Sequence, residues 1–146
     1  MNRTISPGPR VAGIGVLAIA LLLACSGAAA AWTTAFGHIR APDGVLRAGC
    51  HSHRYYYVVK PGSSDWTLET WLYDPRGKPR GAGDLYAGSD PESGLAMFGV
   101  CRSTVVPGRF TIKARLRWYT PGMLPTDPPT EHTRWFEPAH FRLTRP

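Results

Sequence analysis

The segment from Arg109 to Tyr119 alternates between apolar and polar residues almost without a break. Phe110, Ile112, Ala114, Leu116 and Trp118 fall on one side, and Arg109, Thr111, Lys113, Arg115 and Arg117 on the other. A period of two sustained over this length belongs to a β-strand with one buried face, because successive side chains leave the pleat in opposite directions. Residues 65–73 repeat the pattern, with Trp66, Leu68, Thr70 and Leu72 on one face and Thr67, Glu69, Trp71 and Tyr73 on the other. Residues 53–60 are rich in Tyr and Val, which suit a pleated surface. Residues 94–106 predict another strand, with Gly99 as the place for a bulge. Residues 133–145 predict a strand interrupted at Pro138, and shorter strands are expected at 33–40 and around 45–50. Turn-forming clusters separate these runs: APDG from 41, KPGSSD from 60, DPRGKPRGAGD from 74, GSDPESG from 88 and VPG from 106. No comparable stretch has a helical period. The expectation is an all-β fold, an antiparallel β-sandwich of about seven strands.

The N-terminal segment is of a different kind. Arg3 and Arg10 precede an uncharged apolar run over 11–24, and small residues follow as far as Ala31. A basic start, a short apolar core and a small-residue exit make a secretory signal. The run is well short of the ~20 residues that a spanning helix needs. Residues 1–31 therefore read as a signal peptide and 32–146 as a single domain. Leu22-Leu23-Ala24-Cys25 also fits the box that precedes a lipidated cysteine. On that alternative the signal is 1–24, and acylated Cys25 holds the chain at a membrane. The two routes give a secreted protein or a membrane-anchored lipoprotein; a lipid on Cys25 is the only membrane contact expected.

Export changes how the cysteines are read. The domain after Ala31 keeps two, Cys50 and Cys101. An even pair in an oxidising compartment implies a disulfide. It would close a loop of about 52 residues, for which chain entropy gives roughly 4 kcal/mol of stabilisation. All 16 aromatic residues lie in this domain, so a core needs no metal or cofactor to complete it, and none is expected.

Charge supplies the first candidate surface. The domain has 15 basic and 10 acidic residues, a formal +5, and Arg supplies 14 of the chain's 17 cations. Arg109, Lys113, Arg115 and Arg117 form a basic ladder on one strand face, closed by Tyr119. Such a row attracts anionic polymers and loses that attraction in salt. In an extracytoplasmic compartment the suitable polymers are wall polymers, acidic polysaccharides or anionic lipids rather than nucleic acid. The competing reading is a solvated face paired with acids of a neighbouring strand, Glu69 for example. Residues 65–92 hold six acids and three bases, and residues 102–145 hold eight bases and three acids, which suits either reading.

Three further features carry chemistry. Trp71, Tyr73 and Tyr119 could form a platform for sugar rings, against the commoner burial of aromatics between sheets. The Pro-rich stretch 120–133 reads as a long loop with Met123 and Leu124 at an apolar tip, either a protein contact or a stiff connector. His51 and His53 share a strand face and could chelate zinc or copper, but no third ligand is near in sequence, so surface histidines are the expectation. No nucleophile elbow, zinc-protease helix or phosphate-binding glycine loop is present. The carboxylates Asp65 with Glu69, and Asp84 with Asp90, are paired only in sequence. The chain is not expected to be an enzyme.

TLETWLYDPRG, SGLAMFGVC and PGRFTIKARLRWY resemble segments of bacterial extracytoplasmic immunoglobulin-like modules. The resemblance covers about half of the domain. It implies an immunoglobulin-like sandwich and an inter-sheet bridge between Cys50 and Cys101 with Trp66 or Trp71 nearby. Gly99 stands where a tyrosine corner would place Tyr. Taken together, these readings give a non-catalytic exported binding module for an anionic polymer or a protein partner. A carbohydrate-binding or hydrolytic accessory protein and a small secreted inhibitor or toxin-like factor are the alternatives.

Overall fold

The computed structural model describes residues 34–146; the signal segment expected at 1–31 and Cys25 lie outside the described residues. A single 3-10 turn, Thr34–Phe36, leads into nine strands. They are β1 (Gly37–Arg40), β2 (Gly44–Val45), β3 (Cys50–Val59), β4 (Trp66–Tyr73), β5 (Pro79–Tyr86), β6 (Ser93–Cys101), β7 (Gly108–Thr120), β8 (Thr130–Trp135) and β9 (Ala139–Thr144). Three of them form one sheet in the order β1-β3-β6. The other six form a second sheet in the order β2-β9-β7-β4-β5, with β8 also on β7. Every pairing is antiparallel except the short parallel contact of β2 with β9.

β7 is long enough to serve two partners along one edge. Residues 108–112 pair with β9 and residues 115–120 with β8. Between these partners the chain passes through Phe136, whose N–H donates to the Ala114 carbonyl at 3.0 Å, and Pro138, which has no N–H to give a ladder. The interruption foreseen at Pro138 thus divides two strands.

The alternation of β7 and β4 sets the core. Phe110, Ile112, Ala114, Leu116 and Trp118 are buried on one face of β7, and Trp66, Leu68, Thr70 and Leu72 on the same side of β4. Tyr55, Tyr57 and Val59 of β3 and Phe98 and Val100 of β6 are the buried face of the smaller sheet. One polar thread crosses this core. The Tyr55 hydroxyl donates to Thr70 Oγ1 at 3.1 Å, and Thr70 Oγ1 donates to the Gly83 carbonyl at 2.9 Å. Each buried oxygen is satisfied, so the thread fixes how the sheets meet without a desolvation penalty.

Four expectations are corrected. The strand count is nine among the described residues, because the run expected over 133–145 is two strands, β8 and β9, and the turn-like stretch from 74 contains β5. Pro79 opens that strand and its edge position leaves one side without a partner, so proline and glycine are tolerated there. The turn before it is built by Asp74, whose carboxylate accepts from Arg76 N–H and Lys78 N–H, each at 2.9 Å, and from Arg80 Nε at 2.8 Å. Gly77 at φ 74° supplies the left-handed step. The loop expected over 120–133 is shorter, since β7 continues through Thr120 and β8 begins at Thr130. Gly99 makes no bulge: the β3–β6 register runs unbroken from Cys50 opposite Cys101 to Val58 opposite Ser93. The Cys50–Cys101 disulfide is present, but it joins neighbouring strands of one sheet rather than two sheets.

Candidate functional site

The outer face of the larger sheet is laid out in rows by strand register. Ala82, Trp71 and Lys113 lie side by side across β5, β4 and β7. The next row is Asp84, Glu69, Arg115 and Trp135, extending onto β8, followed by Tyr86, Thr67, Arg117 and Thr133. Arg115 is held from one side by a bidentate contact with Glu69, Nε to Oε2 at 2.6 Å and Nη2 to Oε1 at 2.9 Å. The guanidinium lies 5.5 Å from the ring centres of both Trp71 and Trp135, which are tilted against each other at 5.5 Å. Lys113 places Nζ 4.8 Å from the centre of the Tyr73 ring. Such cation–π contacts keep the cations extended along the face.

Trp71 is half-buried with the small side chain of Ala82 opposite it on β5, and Trp135 is 48% exposed. A cavity of about 220 Å³ opens next to it, lined by Lys113, Trp135, Phe136 and Pro138. The result is a surface of aromatic planes bordered by ammonium and guanidinium groups.

The electrostatics of this face are partly internal. Hydrogen bonding from Arg115 outweighs partial burial and holds the Glu69 carboxyl below its ordinary pKa. Arg117 lies 3.5 Å from Glu69 and 3.4 Å from Glu131, yet its buried Nε has no hydrogen-bond partner. The expected pairing of the basic ladder with acids of neighbouring strands therefore holds for Arg115 and Arg117. Lys113 forms none of the ion pairs among the described residues. Arg109 faces Arg142 of β9 across the ladder, and both are exposed, so positive charge collects at that end. Tyr119, at the other end of β7, donates its hydroxyl to Glu131 at 3.1 Å. It therefore stands apart from the pair Trp71 and Tyr73 with which it was grouped.

The remaining candidates lie elsewhere. His51 and His53 point toward the inward side of β3 and border a cavity of about 390 Å³ with Gly44, Arg47 and Val100. Their Nε2 atoms meet the backbone carbonyls of Ala48 at 2.7 Å and Pro42 at 3.0 Å. The His53 ring stacks on Phe141 at 4.3 Å, and this burial lowers its pKa. No group of three or more His, Cys, Asp or Glu among the described residues is arranged to hold a metal ion. Met123 and Leu124 do stand at an apolar tip, 99% and 62% exposed, in a turn closed by Asp127, which accepts from Leu124 N–H at 2.9 Å. The carboxylates paired in sequence have local tasks: Asp90 accepts from Tyr86 N–H at 2.9 Å, and Asp84 from the Tyr86 hydroxyl at 3.4 Å.

Trp135 is the important residue that sequence reasoning did not single out. It falls in the strand expected over 133–145, but which side chains it would neighbour depends on β8 turning back along β7, which sets Trp135 opposite Arg115. No protein-family model matches the chain, and no curated protein or solved structure matches it.

Proposed function

We propose that this chain is a non-catalytic exported binding module that takes an anionic polymer, of which an acidic polysaccharide fits best, on the outer face of β4, β7 and β8. The carrying observation is the adjacency of Trp71 and Trp135 to Lys113 and Arg115. Indole planes stack on the apolar faces of pyranose rings, and a neighbouring cation selects rings that bear carboxylate or sulfate. Neither half alone favours such a polymer: aromatics alone suit neutral sugars, and cations alone suit any polyanion. The fold, on this reading, is an immunoglobulin-like module whose bridge lies within one sheet. The signal at 1–31, or 1–24 with Cys25 lipidated, delivers it to the envelope or the medium, where a disulfide is stable.

The test is affinity electrophoresis in gels containing polygalacturonate or a neutral glucan. The expected result is retardation by polygalacturonate only, weakened on raising salt from ~50 to ~200 mM as screening shortens the range of the charges. Lys113→Ala and Trp135→Ala should each weaken it about tenfold, the size of one good contact. Equal retardation by the neutral glucan would favour the plain carbohydrate-binding alternative. Absence of retardation in both gels would reject the proposal.

The exposure of Met123 and Leu124 supports a second reading, a protein-binding factor acting through the β7–β8 turn. A Met123→Asp variant that retains polymer binding but loses a protein partner would separate the two.

A further inference from the structure

The sheet edges are protected unequally. β5, one edge of the larger sheet, starts at Pro79 and carries Arg80 and Asp84, β8 carries Glu131 and Arg134, and β2, at the opposite edge, has only two residues. β1 is only four residues long. Proline, charge and short length are the usual devices that stop an edge from pairing with another chain. β6, the free edge of the smaller sheet, runs nine residues from Ser93 to Cys101 with no charge, no proline and no break in register.

Backbone hydrogen bonds fix what this edge offers. Val59 N–H donates to Glu92 O, and Arg102 N–H donates to Gly49 O, so the even-numbered residues direct their backbone groups toward β3. The odd-numbered residues Leu95, Met97 and Gly99 therefore present N–H and C=O outward. Their positions lie on the solvent side of the sheet, where Leu95 is 46% and Met97 63% exposed beside half-buried Tyr56.

We infer that β6 pairs antiparallel with β6 of a second copy of this chain, about a two-fold axis at Met97. Charge and shape choose this register. It sets Glu92 of each copy opposite Arg102 of the other; both are exposed, and neither forms any of the ion pairs among the described residues. It sets Leu95 opposite Gly99, where even a Cβ would find nothing within 4 Å, so the isobutyl group has open space to fill. Slipping by one step brings Arg102 opposite Asp90, whose carboxylate already binds Tyr86 N–H, and leaves Glu92 facing Val100. A symmetric dimer needs a self-complementary patch, and this strand supplies one. The ladder is short, so the interface falls at the small end of specific interfaces, under about 1,200 Å², and the dimer dissociates on dilution.

Sedimentation equilibrium tests this on the protein as purified from its expressing cells with the disulfide intact. The expected result is a monomer–dimer equilibrium with a dissociation constant on the order of 10–100 μM, typical of a small interface. Met97→Lys, which sets two ammonium groups against each other on the axis, should leave a monomer with an unchanged circular-dichroism spectrum. Glu92→Arg should weaken the dimer about tenfold, and Glu92→Arg with Arg102→Glu should restore it to within about threefold. A wild-type chain that stays monomeric at about 1 mM overturns the inference. So does a Met97→Lys dimer as tight as wild type, or a charge-swapped chain no tighter than Glu92→Arg.

Discussion

Replacing both Cys50 and Cys101 with Ser removes a covalent link while leaving the core intact. Cys50 is exposed and Cys101 half-buried, at the end of a ladder that Arg102 N–H extends to Gly49 O at 3.0 Å. No cavity forms and no buried donor is orphaned, so the perturbation acts mainly on the unfolded chain. With a sequence separation of 51, the chain-entropy relation gives about 4 kcal/mol. Domains of this size have roughly 5–15 kcal/mol in all, so the loss is large but survivable. Unfolding entropy of about 2.1 cal/mol/K per residue over the folded domain converts it to a Tm lower by ~15–20 °C. Thermal melts followed by circular dichroism measure the shift. Urea titration should show a steeper slope, because the unlinked chain exposes more surface when unfolded. The double-serine variant is the cleaner choice, since a single replacement leaves a thiol free to cross-link copies. A Tm within about 3 °C of the oxidised wild type would refute the reasoning and place the stabilisation elsewhere.

Leu116 is fully buried between the sheets, so Leu116→Asp places an uncompensated carboxylate in the core and should leave the chain unfolded at room temperature; a cooperative melt from that variant would contradict the assignment of faces. Asp74 and Glu69 have depressed pKa values: for Glu69 the Arg115 contact leads, and for Asp74 the hydrogen bonds from Lys78, Arg80 and Arg76 outweigh an opposing desolvation. Their stabilisation is complete above the unfolded carboxyl pKa, about 4, and is lost as pH falls through the folded values. His53, with its pKa lowered by burial, adds a component that is complete above about 6.5 and fades as pH falls below that. Tm should be level from pH 7 to 8, sag below about 6.5 and fall steeply below about 4. Asp74→Asn should lower Tm at neutral pH and flatten the acid limb, and an unchanged acid limb would remove Asp74 from that account.

Where a strand had one buried face, its sequence announced it. The faces of β7 and β4 are those the alternation assigns, because burial acts directly on the side chains being read. β5 was hidden because an edge strand supported from one side can be built from Pro, Gly and Ala, the residues that otherwise mark turns. The first half of β8 was hidden for another reason: residues 130–132 have no apolar period, and only pairing with β7 makes them a strand. The disulfide followed from an expectation of export and an even count, but its placement within one sheet needed the β3–β6 register. The same gap covered the candidate site. Lys113 and Arg115 were visible as a ladder with Glu69 as a candidate partner, while Trp135 reaches them only through a register that spans 20 residues of sequence.

The central claim is that the face of β4, β7 and β8 is where the ligand lies. Amide chemical-shift mapping of the isotope-labelled protein with short polygalacturonate oligomers tests it most directly. The account predicts shifts centred on Trp71, Lys113, Arg115 and Trp135, including the indole N–H signals of both tryptophans, and their reduction at higher salt. Shifts centred on the Met123 turn or on the outer side of β3 and β6, with the β4–β7–β8 face unmoved, would contradict it.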